Sequence, residues 1–537
     1  MKAIKGFGLF LSGLSTLVFI FLTSGAAQAQ TIRALDPRGI APAVERIPLS
    51  QRLARINGAR ICIVMSWPTN SAFDNVVKDL VPLLKERGAK EIAVKPRNVR
   101  YSEDDPQLWD EMRQKCDAFI YVAAPSSSTT SYAFQWSAKL EKMGLPGAVV
   151  NFDDLNNVGD TTSSRWGAAL RRSSFIYPPE TMNKQAYAAA LSRAIDNLTR
   201  PLTPDEKATG IIQPKPRLEV FVSGDFDQIL KSYYDAGMTD GLPIIPPTAE
   251  RVAAMLKCTS HKPDEIVAQA LMPEGLGVTV KHVAINAVMA GCLPEQMPVL
   301  LATIEAYQKY NLNSILRSTN SFSFMQVVNG PIAQQLKMNS GTGALSPGNQ
   351  ANASMGRALR LFIINLGGGA PGVNLMAVIG NVSSYSFMFA ENEKESPWEP
   401  LSVGLGYQKN DNTLTFFMGG WAHSGNYGLT GEVALDNVAQ DISRYQMTSG
   451  AAVIISPKFA QDLQRRGMSK ADVESYLQKH STRTPRRGRP GEAAQNGPAS
   501  VFPEGSVKVI VAGGDASSMM QAWSMYRPLI VSIDKWR

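Results

Sequence analysis

From Arg60 onward, short apolar runs alternate with segments of helical period. ICIVMSW (61–67) is followed by FDNVVKDLVPLLKERG (73–88), in which Val76, Val77, Leu80, Leu83 and Leu84 recur at helical spacing and Gly88 supplies a C-terminal stop. EIAVK, a helical DPQLWDEMRQKC, DAFIYVAA, a helical SYAFQWSAKLEKMG and LPGAVVNF continue the alternation. Continuous apolar strands separated by amphipathic helices predict a parallel sheet covered on both faces, because right-handed crossovers lay a helix over each strand pair. The fold class expected here is α/β, flavodoxin-like or Rossmann-like.

The pattern changes after residue 199. A proline-punctuated connector spans 200–216, and the segment 217–537 opens on a helix, FDQILKSYYDAGM, and the turn Thr239-Asp240-Gly241. Helical runs such as VKHVAINAVMAGC and EQMPVLLATIEAYQKY surround a Gly/Asn-rich centre, and VKVIVAGGDASSMMQAWSMY reads as strand, turn and helix. This predicts a larger mixed α/β domain. The expected organisation is a leader at 1–29, an N-terminal arm at 30–58, the parallel-sheet domain at 59–199, the linker, and the mixed domain with a mobile basic loop near 479–500.

Composition sharpens the picture in three places. The chain has 537 residues, 44% apolar and 19% charged, which excludes a disordered protein. Lys2 and Lys5 precede an apolar stretch and the small-residue triplet Ala27-Gln28-Ala29, the pattern of a secretory signal cleaved after Ala29. A periplasmic or secreted protein without a stable membrane span after cleavage is expected. The net charge of +8 is local, because Lys479, Arg483, Arg486, Arg487 and Arg489 crowd one Pro/Gly-rich stretch with no interleaved aromatics, a solvated loop and not a nucleic-acid surface. The four cysteines, Cys62, Cys116, Cys258 and Cys292, contain no CxxC and no zinc spacing; in an oxidising compartment Cys62–Cys116 and Cys258–Cys292 are the two conceivable pairs.

Ligands of parallel sheets bind where loops leave the carboxyl ends of the strands. Two loops qualify: Ser66-Trp67-Pro68-Thr69-Asn70-Ser71, and the hydroxyl-rich turn from Ser126 to Ser131. The second surrounds free helical N–H groups that suit an oxyanion, and its plainer reading is a helix cap. It has no glycine, so it is neither a P-loop nor a nucleophile elbow.

At this turn, and at GMTDGLPIIPPT (237–248), the chain resembles the UGSC family, named for a selenocysteine-Gly-Ser-Cys motif. VAINAVMAGC, Asn329-Gly-Pro-Ile-Ala, NSGTGALSPGNQANASMGRALRL, Asn365-Leu-Gly-Gly-Gly-Ala-Pro-Gly and Glu391-Asn-Glu-Lys-Glu-Ser-Pro-Trp are similar family-like phrases. The resemblance implies that Ser126, Ser127, Ser128 and Thr129 stand where the family carries selenocysteine, glycine, serine and cysteine. Alcohols cannot form a selenenylsulfide or disulfide, so redox chemistry at this turn is not expected.

The remaining candidates come from residue type. Ser126, Ser128, Thr129 and Thr130 are candidate ligand donors, joined by Asn329, Asn339 and Arg357, with Arg357 and Arg360 one helical turn apart among the Gly/Asn-rich loops. Asp240, Glu391, Glu393 and His423 are the candidate acid/base groups; a strand continuing through Glu393 places both glutamates on one face, where they could share a proton or a hard cation. His261 and His480 read as solvent-facing and His282 lies on an apolar helix. Three functions follow: a non-redox hydrolase or lyase acting on a small carbonyl or carboxylate compound, a non-catalytic ligand- or partner-binding protein, or a thiol redox protein using Cys258 and Cys292. A small-molecule ligand is expected and nucleic acid is not. A homo-oligomer is compatible with the sequence, and the residues name no cofactor or metal.

Overall fold

The computed structural model describes residues 31–66, 74–97, 99–310, 313–445, 449–483 and 499–537. The expected leader at 1–29, positions 67–71 of the first candidate loop and most of the basic loop lie outside the described residues. β1 (Ile32–Leu35) and β2 (Val44–Glu45) precede a parallel sheet of β3 (Arg60–Met65), β4 (Glu91–Pro96), β5 (Ala118–Val122), β6 (Gly147–Phe152) and β7 (Arg172–Phe175). Its spatial order is β4-β3-β5-β6-β7, the flavodoxin-like arrangement, with the order reversing between β3 and β5. Buried β-branched and aromatic residues fill β3, β5 and β6, as expected of strands covered on both faces. Cys62 on β3 is bonded to Cys116, which follows the helix Pro106–Lys115, with the Cα atoms 5.8 Å apart.

The connector does not hang free. β8 (Ile211–Ile212) pairs with β2 and β9 (Val220–Gly224) pairs with β1, so the N-terminal arm is laced onto the chain that follows the parallel sheet. Ala34 and Leu35 are buried in the larger core. The fork between Arg171 and Glu206, at 2.7 Å through each nitrogen, anchors the connector to the first unit.

The second half is a mixed sheet flanked by helices. β10 (Ile266–Leu271) and β11 (Leu276–Thr279) form a hairpin; β12 (Ser323–Asn329), β13 (Met388–Ala390), β14 (Thr413–Tyr427) and β15 (Gly450–Ile455) enter the sheet; β16 (Thr482–Arg483) and β17 (Ala499–Ser500) pair across the basic stretch. β18 (Val507–Val511), β19 (Met519–Met525) and β20 (Leu529–Ser532) complete it, in the order β13-β12-β14-β19-β15-β18 with β20 beside β14. The segment Met519–Met525, read from sequence as helical, is a strand, because it pairs on both sides, with β14 and β15. The helices Val280–Ala290 and Met297–Lys309 are buried nearly all round. Among the described residues no helix is long and apolar enough to cross a membrane.

His282 occupies the third position of the helix Val280–Ala290 in a reciprocal cap. The backbone N–H of Thr279 donates to its Nδ1 at 3.0 Å, and its own N–H donates to Thr279 Oγ1. An accepting Nδ1 requires the neutral ring, and burial, with the nearby Arg217 charge, depresses its pKa to about 3. Below pH 6.5 the unfolded chain therefore binds a proton that the folded chain refuses, and stability is lost as pH falls from 6.5 toward 3. His282→Gln retains a capping acceptor and removes this proton. The pH dependence of the variant's stability in urea is expected to flatten between pH 6.5 and 4.5 by up to about 1.4 kcal/mol per pH unit; an unchanged slope contradicts the assignment.

Candidate functional site

The hydroxyl turn lies at the carboxyl end of β5, beside the strand-order reversal. Ser126 is the N-cap of the helix Ser127–Lys142, its Oγ accepting from Thr129 N at 3.3 Å. Thr129 Oγ1 donates to the Ala124 carbonyl at 2.7 Å and meets Ser126 Oγ at 2.9 Å, and Ser128 Oγ lies 3.3 Å from Ser126 Oγ. Ser127 Oγ donates to the carbonyl of Arg317, and Ser127 to Ser131 are buried. Among the described residues Thr130 Oγ1 is buried with no hydrogen-bond partner. Of the hydroxyls proposed as a ligand cage, those of Ser126, Ser128 and Thr129 are thus engaged locally, as in a helix cap, and Ser127 ties the turn to Arg317 of the second unit. Glu274, itself held by Asn374, pairs with the Arg317 guanidinium at 2.8 Å.

The acid/base candidates are also engaged. Both Asp240 oxygens accept from Arg357, through Nε and Nη2 at 2.8 Å each, and Arg357 donates further to the carbonyls of Leu242 and Pro243. The Asp240 side chain is 1% exposed. Sequence offered these two residues as a catalytic acid and a ligand donor; the structure makes them each other's partner. β13 ends at Ala390, so the strand expected to carry both glutamates stops short. Glu391 and Glu393 meet instead through Asn329, whose Nδ2 donates to Glu391 at 2.7 Å and to Glu393 at 2.9 Å. Buried Glu391 also accepts from Lys470 Nζ at 2.9 Å and Leu401 N at 2.7 Å; Glu393 accepts from Gly330 N at 2.8 Å. Asn339 accepts from Gly341 N and donates to the Thr342 carbonyl, which holds its own turn. Among the described residues no cluster of His, Cys, Asp and Glu could hold a metal.

His423 lies on β14 opposite Trp523, and its side chain is outside the described set. His261, expected to face solvent, is partly exposed, and its ring bridges Glu265 and the Lys535 carbonyl and packs against Trp536. Cys258 and Cys292 are free, so the second conceivable disulfide is not formed. Burial pushes the Cys292 thiol up to about 12, and burial, helped by Glu295, raises Cys258.

A cavity of about 500 Å³, which the hydroxyl turn does not line, opens in the second unit, within the size range of small-molecule sites. The helix Gln350–Leu361 and the π-helical turn Phe362–Leu366 that continues it form one wall; β12, its approach and the 371–387 segment form the others. Gly356 permits this closeness, because a Cβ there would stand 2.3 Å from Ser386 Oγ and 3.0 Å from Phe387 N. Leu316, Phe324, Leu359, Ile363 and Phe387 supply an apolar surface, with Asp240, Asn320, Ser323, Arg360, Asn381 and Ser383 among the polar members. Among the described residues Arg360 has no hydrogen-bond or ion-pair partner, and the side-chain amide of Asn320 has none. Burial holds the Arg360 guanidinium below its usual value, yet arginine stays charged across the physiological range. Sequence placed Arg360 beside Arg357 but singled out Arg357. The signal was the one-turn spacing, which marks two cations without showing which one is neutralised.

No curated protein and no solved structure matches the chain significantly. The model of the UGSC family matches residues 33–203, running from the arm through the parallel sheet and the helix Lys184–Asp196. The N-terminal portion of this protein is therefore UGSC-like.

Proposed function

We propose that this protein binds a small carboxylate- or carbonyl-containing molecule in the cavity walled by Arg360, without thiol redox chemistry. The observation that carries this reading is the unpartnered guanidinium on an otherwise apolar cavity wall. A half-buried charge without a close counter-ion is partly desolvated, and an anionic ligand offsets that cost with charge-assisted hydrogen bonds. The Asn320 amide, on another wall of the same cavity, offers a neutral donor for a second oxygen. Export fits the same reading: the Cys62–Cys116 disulfide suits an oxidising compartment, as the leader at 1–29 does. Binding without turnover is favoured over hydrolase or lyase chemistry because Asp240, Glu391 and Glu393 are all engaged by neighbours.

A thermal-shift and calorimetric screen of small carboxylates, neutral carbonyl compounds and amines tests the reading. Carboxylates are expected to stabilise the leader-free chain saturably, and Arg360→Gln is expected to weaken them roughly 10- to 100-fold; binding unaffected by that substitution contradicts it. Asp240→Asn is expected to destabilise the fold by about 3 kcal/mol in urea, since it strands the Arg357 charge. Lost turnover of any bound compound at unchanged stability would instead return Asp240 to acid/base catalysis. In the folded, reduced protein Cys292 is expected to resist iodoacetamide; rapid labelling would revive the redox alternative.

A further inference from the structure

The geometry points to an amphiphilic monocarboxylate as the occupant of this cavity: one carboxylate on Arg360 and a hydrocarbon or aromatic body running out along the apolar wall to the rim. This rests on the proposed anion site and adds the class of molecule that fills it.

Charge sets the head group. Asp240 and Arg357 neutralise each other in a two-pronged pair, so the cavity wall is left with the single positive charge of Arg360. A monoanion balances it and a dianion overcompensates. An ammonium group finds no exposed, unpaired carboxylate, because the Asp240 side chain is 1% exposed and its charge is paired with Arg357.

The walls and rim set the body. Beyond Arg360 the apolar side chains of Leu316, Phe324, Leu359, Ile363 and Phe387 share the cavity with Asn320, Ser323, Asn381 and Ser383, and its mouth carries Ile379, Val382 and Tyr385, exposed by 94%, 86% and 55%. Large apolar side chains this exposed, gathered at the mouth of one cavity, leave hydrocarbon surface for a ligand to cover. The segment that bears them is fixed by hydrogen bonds. Val378 N donates to the Thr319 carbonyl at 3.0 Å, Gly380 N donates to Ser321 Oγ at 3.0 Å, and Asn381 Nδ2 donates to the carbonyls of Ser321 and Gly420 at 2.9 and 2.7 Å. The rim is therefore presented in place, and a ligand covers it without first ordering a loop. A short oxyanion such as acetate satisfies Arg360 and leaves this surface wet.

The test is calorimetric titration of the leader-free chain with acetate, butanoate, hexanoate and octanoate, and with inorganic phosphate, repeated on Arg360→Gln and on the Ile379→Ser/Val382→Ser double variant. The expected result is affinity rising about threefold per added methylene, loss of binding in Arg360→Gln, and loss of the gain for hexanoate and octanoate alone in the rim variant. Both rim positions are exposed, so that variant is expected to fold as the parent does. Arg360-dependent binding of acetate or phosphate with no dependence on chain length overturns the amphiphile and leaves the anion site standing. A length dependence that survives both variants overturns it as non-specific partitioning. No binding of any probe overturns both readings.

Discussion

The pairing of Asp240 with Arg357 sets the electrostatics of the second unit. Two arginines rise from one helix a turn apart, and one carboxylate reaches them from a loop far earlier in the chain. Because that carboxylate forks onto Arg357, with both donors at 2.8 Å and its side chain 1% exposed, its charge is spent on Arg357. Arg360 is left as a lone cation in an apolar wall. A fold that places a guanidinium there without a counter-ion carries a desolvation penalty, and such penalties are found where a ligand relieves them.

The parallel-sheet unit contributes to this arrangement through its packing. In flavodoxin-like sheets the crevice beside the strand-order reversal is the usual ligand position. Here the serine-rich turn caps a helix beside that reversal, and the Ser127 hydroxyl bonds the backbone of Arg317, one residue beyond the cavity-lining pair Ile315 and Leu316. Arg165, on the helix after β6, donates to the carbonyl of Pro273, to which Arg317 also donates. The UGSC-like unit thus buttresses one side of the cavity. A turn of alcohols is well suited to buttressing, since hydroxyls cap helices and bond carbonyls while lacking the accessible ionised state of a thiol or selenol.

Much of the architecture is legible in the sequence because it is local. The alternation of apolar runs with helical periods gives the parallel sheet, and the capping chemistry of Ser126 and Thr248 follows from residue type at a helix start. The site is less legible, since its decisive contacts span long separations. Asp240 and Arg357 both stand out, yet nothing local shows that they neutralise each other across 117 positions. Glu391 and Glu393 suggest a shared face by strand alternation, whereas Asn329 draws them together after the strand has ended. The rim residues Ile379 and Val382 read as ordinary apolar positions, and only the fold shows them exposed beside a cavity. The β-strand at Met519–Met525 is concealed by a Gly-Gly turn and a pattern that also suits a helix, and pairing with two neighbours decides it.

The most direct measurement is a crystal structure of residues 30–537 soaked with an alkyl carboxylate. The expected density places the carboxylate within hydrogen-bond distance of the Arg360 guanidinium, with the alkyl chain lying toward Ile379 and Val382 and the Asp240–Arg357 pair intact. A carboxylate bound at the serine-rich turn, or at Arg357 with Asp240 displaced, would contradict it.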